Sequence, residues 1–131
     1  MTFPAKHISI SINKTVEDVY RFASDPFNLP KWAAGLSGSI KKEGTDWIAD
    51  SPMGKVKVKF ADPNSFGVLD HRVTLPSGVE VYVPLRAVAN DNGSEVIFTL
   101  FRLPDVSDQH FMEDAQMVER DLKKLKDILE R

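Results

Sequence analysis

The sequence contains no cysteine, which excludes disulfides, thiolate metal sites and cysteine nucleophiles. No apolar run approaches the roughly 20 residues that a membrane-spanning helix needs. Neither sign of charge dominates, because 17 Lys and Arg residues stand against 19 Asp and Glu residues and the net charge is -2. Proteins that attract nucleic acid electrostatically usually carry a basic surplus, so we expect no nucleic-acid partner.

What is present is the composition of one globular domain. The chain has 131 residues, of which 42% are hydrophobic and 27% are charged, and this is enough to build a hydrophobic core. No internal repeat, linker or low-complexity segment interrupts it, so we predict a single domain over residues 1–131. The opening segment, residues 1–7, lacks the basic stretch and apolar core of a signal peptide, and a cytoplasmic protein is therefore expected.

A long amphipathic segment, residues 107–130, is the strongest helical pattern. Its apolar residues recur in steps of four and three, which places them on one face of an α-helix. They are Phe111, Ala115, Val118, Leu122, Leu125 and Leu129. Ser107 or Asp108 is suited to cap the first free amides. An apolar stripe of this length is not stable in water, so the rest of the chain must cover it.

The preceding residues predict strands around two short helices. Residues 7–12 alternate between polar and apolar, as a half-buried strand does, and a capping threonine, Thr15, then begins a short helix. A second short helix or turn follows over residues 27–34. Period-two patterns predict six more strands, over residues 36–43, 46–50, 55–60, 66–75, 79–89 and 94–103. The fold class predicted is therefore α+β, with a curved seven-stranded antiparallel sheet wrapped around the long C-terminal helix.

Turn positions predict which residues pair across the strands. The Asp-Pro-Asn-Ser turn after the fourth strand predicts that Val56 lies opposite His71, and that Lys57 lies opposite Asp70 on the outer face. The Asn-Gly turn before the last strand predicts a hairpin in which Val83 lies opposite Arg102. The inner face is then apolar except for His71 and Arg102. We expect this face to cover the helix stripe.

Three stretches carry a resemblance to a known family. They are Ile-Ser-Ile-Ser-Ile at 8–12 with Thr-Val-Glu-Asp-Val-Tyr at 15–20, Asp-Pro at 25–26 and Trp32; Gly-Val-Leu-Asp-His at 67–71 leading to Val81 and Leu-Arg at 85–86; and Asp-Leu-Lys-Lys-Leu-Lys at 121–126. With the order of elements, they resemble the helix-grip fold of the START-like or SRPBCC superfamily, which includes polyketide cyclase/dehydrase-like and birch-pollen-allergen-like proteins. The second stretch resembles a small bacterial branch, which implies no particular activity.

The resemblance implies a deep cavity between helix and sheet that holds a small hydrophobic, lipid-like or amphipathic molecule. We expect no cofactor. The superfamily contains carriers, cyclases, lyases, lipid-transfer domains and co-chaperone modules, so it implies no shared catalytic residues. Our first hypothesis is ligand binding in this cavity by a monomer or homodimer. The alternatives are a polyketide cyclase/dehydrase-like enzyme that uses the same cavity and a co-chaperone-like protein-interaction module.

The candidate ligand-binding residues are Trp32, Phe60, His71, Val83, Phe98, Arg102, Phe111 and Met112. His71 is the only catalytic candidate, because a histidine pKa near neutrality suits a general acid or base. The other interpretation is a core histidine that is hydrogen-bonded to a neighbour. Arg102 is suited to a carboxylate or phosphate head group. The other interpretations are an ion pair with an acid of the long helix such as Asp114, or an escape of the side chain to solvent at the strand end.

Other expectations concern the place of the site and the absence of a metal. Trp32, Phe111 and Met112 are expected to ring the cavity mouth, although simple core packing also accounts for them. We expect the site beside the first turns of the long helix, residues 111–115. The histidines show neither HxH nor HExxH spacing, so no metal is expected. Asp70 cannot pair with His71, because adjacent strand residues point to opposite faces.

Overall fold

Residues 1–36 and 38–131, which a computed structural model describes, form eight strands and three α-helices. In chain order they are β1 (Ala5–Ile12), α1 (Val16–Ala23), α2 (Leu29–Trp32), β2 (Ile40–Glu43), β3 (Asp46–Ser51), β4 (Gly54–Phe60), β5 (His71–Thr74), β6 (Glu80–Val83), β7 (Leu85–Asn90), β8 (Gly93–Phe101) and α3 (Asp108–Leu129). A single 3-10 turn, Pro26–Asn28, leads directly into α2. The predicted α+β class and the long C-terminal helix are confirmed.

The strands form two antiparallel sheets, so the prediction of one seven-stranded sheet is wrong. One sheet has the order β1-β8-β7 and the other has the order β2-β3-β4-β5-β6. The predicted strand over residues 79–89 is divided at Pro84 into β6 and β7. Proline has no N–H to donate to a ladder, and the chain passes there from one sheet to the other. The Pro84 carbonyl still accepts a hydrogen bond of 3.0 Å from the Thr99 N–H.

The connection between β4 and β5 is longer than predicted, and it shifts the register. The side chain of Asn64 accepts hydrogen bonds from the N–H groups of Phe66 and Val68, which keeps this segment out of the ladder. Consequently His71 pairs with Phe60 rather than with Val56. The shift is by an even number of residues, so the inward-facing set is preserved.

The β7–β8 hairpin shows a similar even shift. Asn90 pairs with Gly93, so the turn residues are Asp91 and Asn92, and Asp91 adopts a φ of 53°. Arg102 comes after the last residue of β8, so the predicted pairing with Val83 is wrong. On the outer face the predicted pair of Lys57 with Asp70 is also wrong, because Lys57 pairs with Thr74.

Helix α3 buries the middle of its predicted stripe, and Phe111 and Leu129 at the two ends are half-buried. The Ser107 hydroxyl accepts a hydrogen bond of 3.0 Å from the His110 N–H and caps the helix. Ala115, Val118, Leu122 and Leu125 are buried in the main core. The helix packs against β1 and β8; along β1 the inward side chains alternate with exposed ones, and β8 is buried or half-buried throughout. Among the described helices, none combines the length and apolarity needed to cross a membrane.

Candidate ligand-binding cavity

A cavity of about 290 Å³ lies between α3, α2 and the inner faces of the sheets. Its wall on the sheet side is apolar because alternate residues of each strand point inward. This wall consists of Val56, Val58, Val73, Leu75, Val81, Val83, Phe98 and Leu100. Pockets that hold small ligands are commonly of about 300–1,000 Å³ and largely apolar, with a few polar groups. The cavity is therefore at the small end of the range for ligand sites.

The helix side of the cavity is formed by four residues of α3. They are Asp114, Met117, Val118 and Asp121, which share one face because their steps are three, one and three. Met117 is 43% exposed, and Met53 on the opposite rim is 66% exposed although it also lines the cavity. These two methionines mark where the cavity opens to solvent, and their unbranched side chains adapt to varied shapes.

The two carboxyl groups on this face of α3, those of Asp114 and Asp121, both have raised pKa values. Burial raises the pKa of the Asp121 carboxyl to about 6, although a hydrogen bond of 3.0 Å from the Ala34 N–H partly stabilises the ionised form. Burial also raises the pKa of Asp114, and His110, whose Nε2 lies 3.4 Å from the carboxylate, opposes that rise. Asp121 is thus poised to gain or lose a proton near neutral pH.

His71 begins β5 and points into the cavity from the sheet side. Its Nδ1 lies 3.1 Å from the Leu69 carbonyl, which only accepts, so Nδ1 carries the proton that is donated. Burial lowers the pKa of His71 and favours the neutral ring. In that ring Nε2 has a lone pair that accepts a hydrogen bond. His71 is therefore hydrogen-bonded to a neighbour, as one interpretation predicts, and it also lines the cavity, while its catalytic role stays a prediction.

Trp32 contributes a hydrogen-bond donor that lacks an acceptor. The residue is only 4% exposed, and its indole Nε1 has no hydrogen-bond partner within residues 1–36 and 38–131. Trp32 and His71 also border a second, smaller cavity of about 20 Å³ beside Tyr20 and Ser24, which has room for one water molecule. An unpaired buried N–H costs about 1–3 kcal/mol, so an acceptor supplied from outside would be stabilising.

The predicted site residues divide into two groups. Trp32, His71, Val83 and Phe98 line the cavity, and Phe60 lines the smaller one beside it. The other three, Arg102, Phe111 and Met112, are not among the residues that line either cavity. Whether any of them binds a ligand stays a prediction.

Arg102 is held at the start of α3, outside the cavity. Its Nε donates a hydrogen bond of 2.8 Å to the Val106 carbonyl, and its Nη1 forms an ion pair with Asp108. An ion pair with an acid of the long helix was one of the two predicted roles, although the acid is Asp108 rather than Asp114. Phe111 is half-buried and Met112 is 55% exposed, both on turns that precede the cavity.

The sequence interpretation missed Asp121 and assigned Asp114 to the wrong partner. A signal existed: these two acids are seven residues apart, hence on one face, and each is adjacent to a residue of the apolar stripe. Met117 and Asp121 place the cavity further along α3 than the expected residues 111–115.

As for metals, the described part of the chain holds no group of three His, Asp or Glu side chains arranged as ligands.

Comparisons with known proteins reveal the fold. No protein-family model matches the sequence, and no curated protein matches it. Among solved structures, the Aha1 dimer from Colwellia psychrerythraea has a TM-score of 0.75 at 18% identity, over 97% of this chain and 96% of that chain. KanY has a TM-score of 0.75 at 13% identity, over 100% of both chains.

A third similar structure is longer. DynU16, from the dynemicin biosynthetic locus, has a TM-score of 0.74 at 16% identity, over 96% of this chain but 47% of the DynU16 chain. These three proteins have helix-grip folds, in which an antiparallel sheet holds a long C-terminal helix. At such low identities the likeness shows the fold alone, so the protein described here has a helix-grip type of α+β fold.

Proposed function

We propose that this protein binds a small hydrophobic or amphipathic molecule in the cavity between the sheets and α3. The observation that carries the proposal is the cavity itself, about 290 Å³ in volume, with an apolar wall and a few polar groups. We further assign the chain to the START-like superfamily and to the cytoplasm. The family motifs and the helix-grip fold support the first assignment, and the absence of cysteine suits the second.

The polar end of the ligand would lie among Trp32, His71, Asp114 and Asp121, all of which line the cavity. Arg102 was a candidate for this role, but its guanidinium is already bound to Val106 and Asp108. The apolar body of the ligand would contact the valine-rich wall of the sheet. Burial of that body provides the main driving force, at about 25 cal/mol for each Å² removed from water.

Native mass spectrometry of protein purified from its own host tests the proposal. We expect a fraction of the protein to carry a small molecule that is lost on denaturation. The matched test in solution is a titration with nonan-1-ol followed by backbone amide NMR, in which shifts should cluster at the cavity. Protein that is free of ligand from the host, and that shows no cavity shifts with medium-chain amphiphiles, would contradict the proposal.

A second candidate function is an enzyme of the polyketide cyclase/dehydrase-like type. The observation that favours it is that the neutral imidazole of His71 shares the cavity with the carboxyl groups of Asp114 and Asp121, which supplies groups for acid–base chemistry. The origin of DynU16 in a biosynthetic locus is compatible with it. The substitution His71→Ala separates the two functions, because a binding protein should lose affinity alone, whereas an enzyme should lose kcat on a polyketide-like substrate.

A further inference from the structure

We infer that the cavity selects an uncharged amphiphile with a hydroxyl group at its polar end and discriminates against carboxylate and phosphate amphiphiles. This inference rests on the proposed function and specifies the ligand class for the same site. Four residues of the cavity wall carry it: Trp32, His71, Asp114 and Asp121. The Ser51 hydroxyl also lines the cavity, but it already donates a hydrogen bond to the Gly54 carbonyl and accepts one from the Met53 N–H.

The charges around the cavity disfavour an anion. Of the described residues that line it, the ionisable ones are His71, Asp114 and Asp121, and none is a lysine or an arginine. Burial keeps the imidazole of His71 neutral. The Asp121 carboxyl group, with a pKa of about 6, is mostly ionised and negative at pH 7.5. A carboxylate or phosphate entering this space would lose its hydration, meet no cation and face like charge. Arg102 is bound to Asp108 instead, and Arg120, whose charge acts on Asp121, does not line the cavity.

The hydrogen-bonding groups favour a hydroxyl. The buried Trp32 N–H has no partner among the described residues and needs an acceptor, which an ammonium group cannot provide. The carboxylate of Asp121 and the Nε2 of neutral His71 need donors. A hydroxyl oxygen accepts one hydrogen bond and donates another, so a single group satisfies both demands. The Ala34–Asp121 hydrogen bond holds the segment just after Trp32 against α3, so the chain that carries Trp32 and the chain that carries Asp121 meet at the cavity wall.

The cavity volume limits the size of the ligand. At about 290 Å³ the cavity is close to the lower bound of roughly 300 Å³ for ligand pockets, so probes of about ten non-hydrogen atoms suit it. Nonan-1-ol, nonanoate and nonylamine have nearly this size, share one apolar chain and differ in the polar end. They are therefore matched probes for the chemistry of the polar groups.

The test is a titration of the 131-residue protein with these three probes at pH 7.5, below their aggregation limits, followed by amide NMR. We expect nonan-1-ol to bind with shifts at the cavity residues, and nonanoate to bind at least tenfold more weakly. Nonanoate that binds as tightly as nonan-1-ol, at the same residues, overturns the ligand class but leaves the proposed function standing. Nonylamine that binds more tightly than nonan-1-ol overturns the hydroxyl assignment. Failure of all three probes counts against the proposed function itself.

Two variants test the named groups directly. Trp32→Phe removes the indole N–H and should weaken nonan-1-ol binding about threefold to tenfold, the range for one hydrogen bond. Trp47→Phe is the matched control, since Trp47 packs edge-on against Phe27 and does not line the cavity. Asp121→Asn keeps the shape of the side chain but removes a negative charge, so it should reduce the difference in affinity between nonan-1-ol and nonanoate. An unchanged difference in affinity in this variant, or an equal loss of nonan-1-ol affinity in both tryptophan variants, would overturn the inference.

Discussion

The carboxylate of Asp121, in the middle of α3, accepts a hydrogen bond of 3.0 Å from the backbone N–H of Ala34, two residues after the end of α2. The neighbouring residues Ala33 and Leu36 line the cavity together with Asp121. This contact therefore holds one wall of the cavity against the long helix. Because Asp121 is also partly buried, the contact depends on a group whose protonation changes in an accessible pH range.

The first prediction concerns Asp121 and pH. Its pKa is about 6 in the folded protein against 3.8 for the ordinary group, so the folded state binds this proton more tightly than the unfolded chain. The contribution of Asp121 to the free energy of unfolding should then fall as pH rises from about 4 through 6, and stay low above 6. The full shift corresponds to about 3 kcal/mol. Screening by solvent at this partly exposed group reduces it to roughly 1–2 kcal/mol.

The measurement is urea unfolding of the wild type and Asp121→Asn between pH 4 and pH 7.5. The stability of the variant relative to the wild type should increase with pH. Asp127→Asn is the control on the same helix. Because the hydrogen bond from Lys123 lowers the pKa of Asp127, the stability of this variant relative to the wild type should not increase between pH 4 and pH 7.5. Parallel curves for the wild type and Asp121→Asn would contradict the prediction.

The second prediction concerns the volume of the cavity. Val73 on β5 lines it, whereas Val88 on β7 is 44% exposed and lies outside it. Val73→Phe should occupy part of the space and abolish the binding of nonan-1-ol, while Val88→Phe should leave binding unchanged. Calorimetry or amide NMR measures both. A folded Val73→Phe variant that binds like the wild type would place the ligand elsewhere.

Ala87→Phe is not a suitable cavity-filling change, although Ala87 on β7 also faces the interior. Ala87 is buried within the packed core and does not line the cavity. An added aromatic ring there would overpack the core, at a typical cost of about 1–3 kcal/mol or more. Its effect would therefore report on folding rather than on binding.

The third prediction concerns the close approach of Gly67 to β7. Gly67 has a φ of 73°, and a Cβ atom at this position would lie 2.1 Å from the Ala87 carbonyl oxygen. Gly67→Ala should therefore lower the free energy of unfolding by about 3 kcal/mol or more, since the cost of steric overlap adds to the cost of the left-handed conformation. Gly44→Ala has a similar φ of 64° but no atom within 4 Å. It should cost only about 1 kcal/mol in thermal or urea unfolding.

The fourth prediction concerns Asp70, which joins the two sheets near Pro84. Its carboxylate accepts hydrogen bonds from the Leu85 N–H at 2.9 Å, from the Tyr82 hydroxyl at 2.9 Å, and from two nitrogens of Arg86 at 2.9 and 2.8 Å. Asp70→Asn should destabilise the protein by roughly 2 kcal/mol at pH 7, because charged hydrogen bonds are lost. Arg21→Gln, which removes an exposed ion pair with Asp18, should cost under about 1 kcal/mol.

The loss caused by Asp70→Asn should also depend on pH. The hydrogen bonds of Arg86 are the main cause that lowers the pKa of Asp70 to about 2. The stability due to its ionised form is therefore present above about pH 4 and is lost as the pH falls towards 2. Unfolding curves at pH 7 and pH 2.5 should show the two proteins converging at the lower pH. If the wild type and Asp70→Asn differed in free energy of unfolding by the same amount at both pH values, the shape of Asp70 rather than its charge would be what stabilises the protein.

Much of the fold was predictable because it depends on short-range patterns. The four-and-three spacing of α3 identified its buried stripe, and Ser107 caps it as expected. The strand faces survived two errors of register, because both shifts were even and the side-chain period of a strand is two. Pro84 was a readable signal for the break between β6 and β7, since proline in a strand indicates an edge or an interruption.

The site was less predictable. His71 and Trp32 were identified as candidates and line the cavity, but Arg102 was placed on the inner face only through an incorrect turn. The Asn64 side chain that extends the β4–β5 connection uses hydrogen bonds within one loop, and no periodicity reveals them. Asp121 was missed because charged residues on a helix are usually solvated.

The sequence by itself determined the α+β class, the identity of the long helix and the alternation that makes one side of each strand apolar. These follow from the local geometry of helix and strand, with periods of 3.6 and 2. Only the tertiary structure decided that α3 stands far enough from the sheet to leave about 290 Å³ between them. It also decided that Asp121 loses enough solvent to raise its pKa to about 6. A cavity and a desolvated charge both depend on distances between segments remote in the chain, which no local pattern specifies.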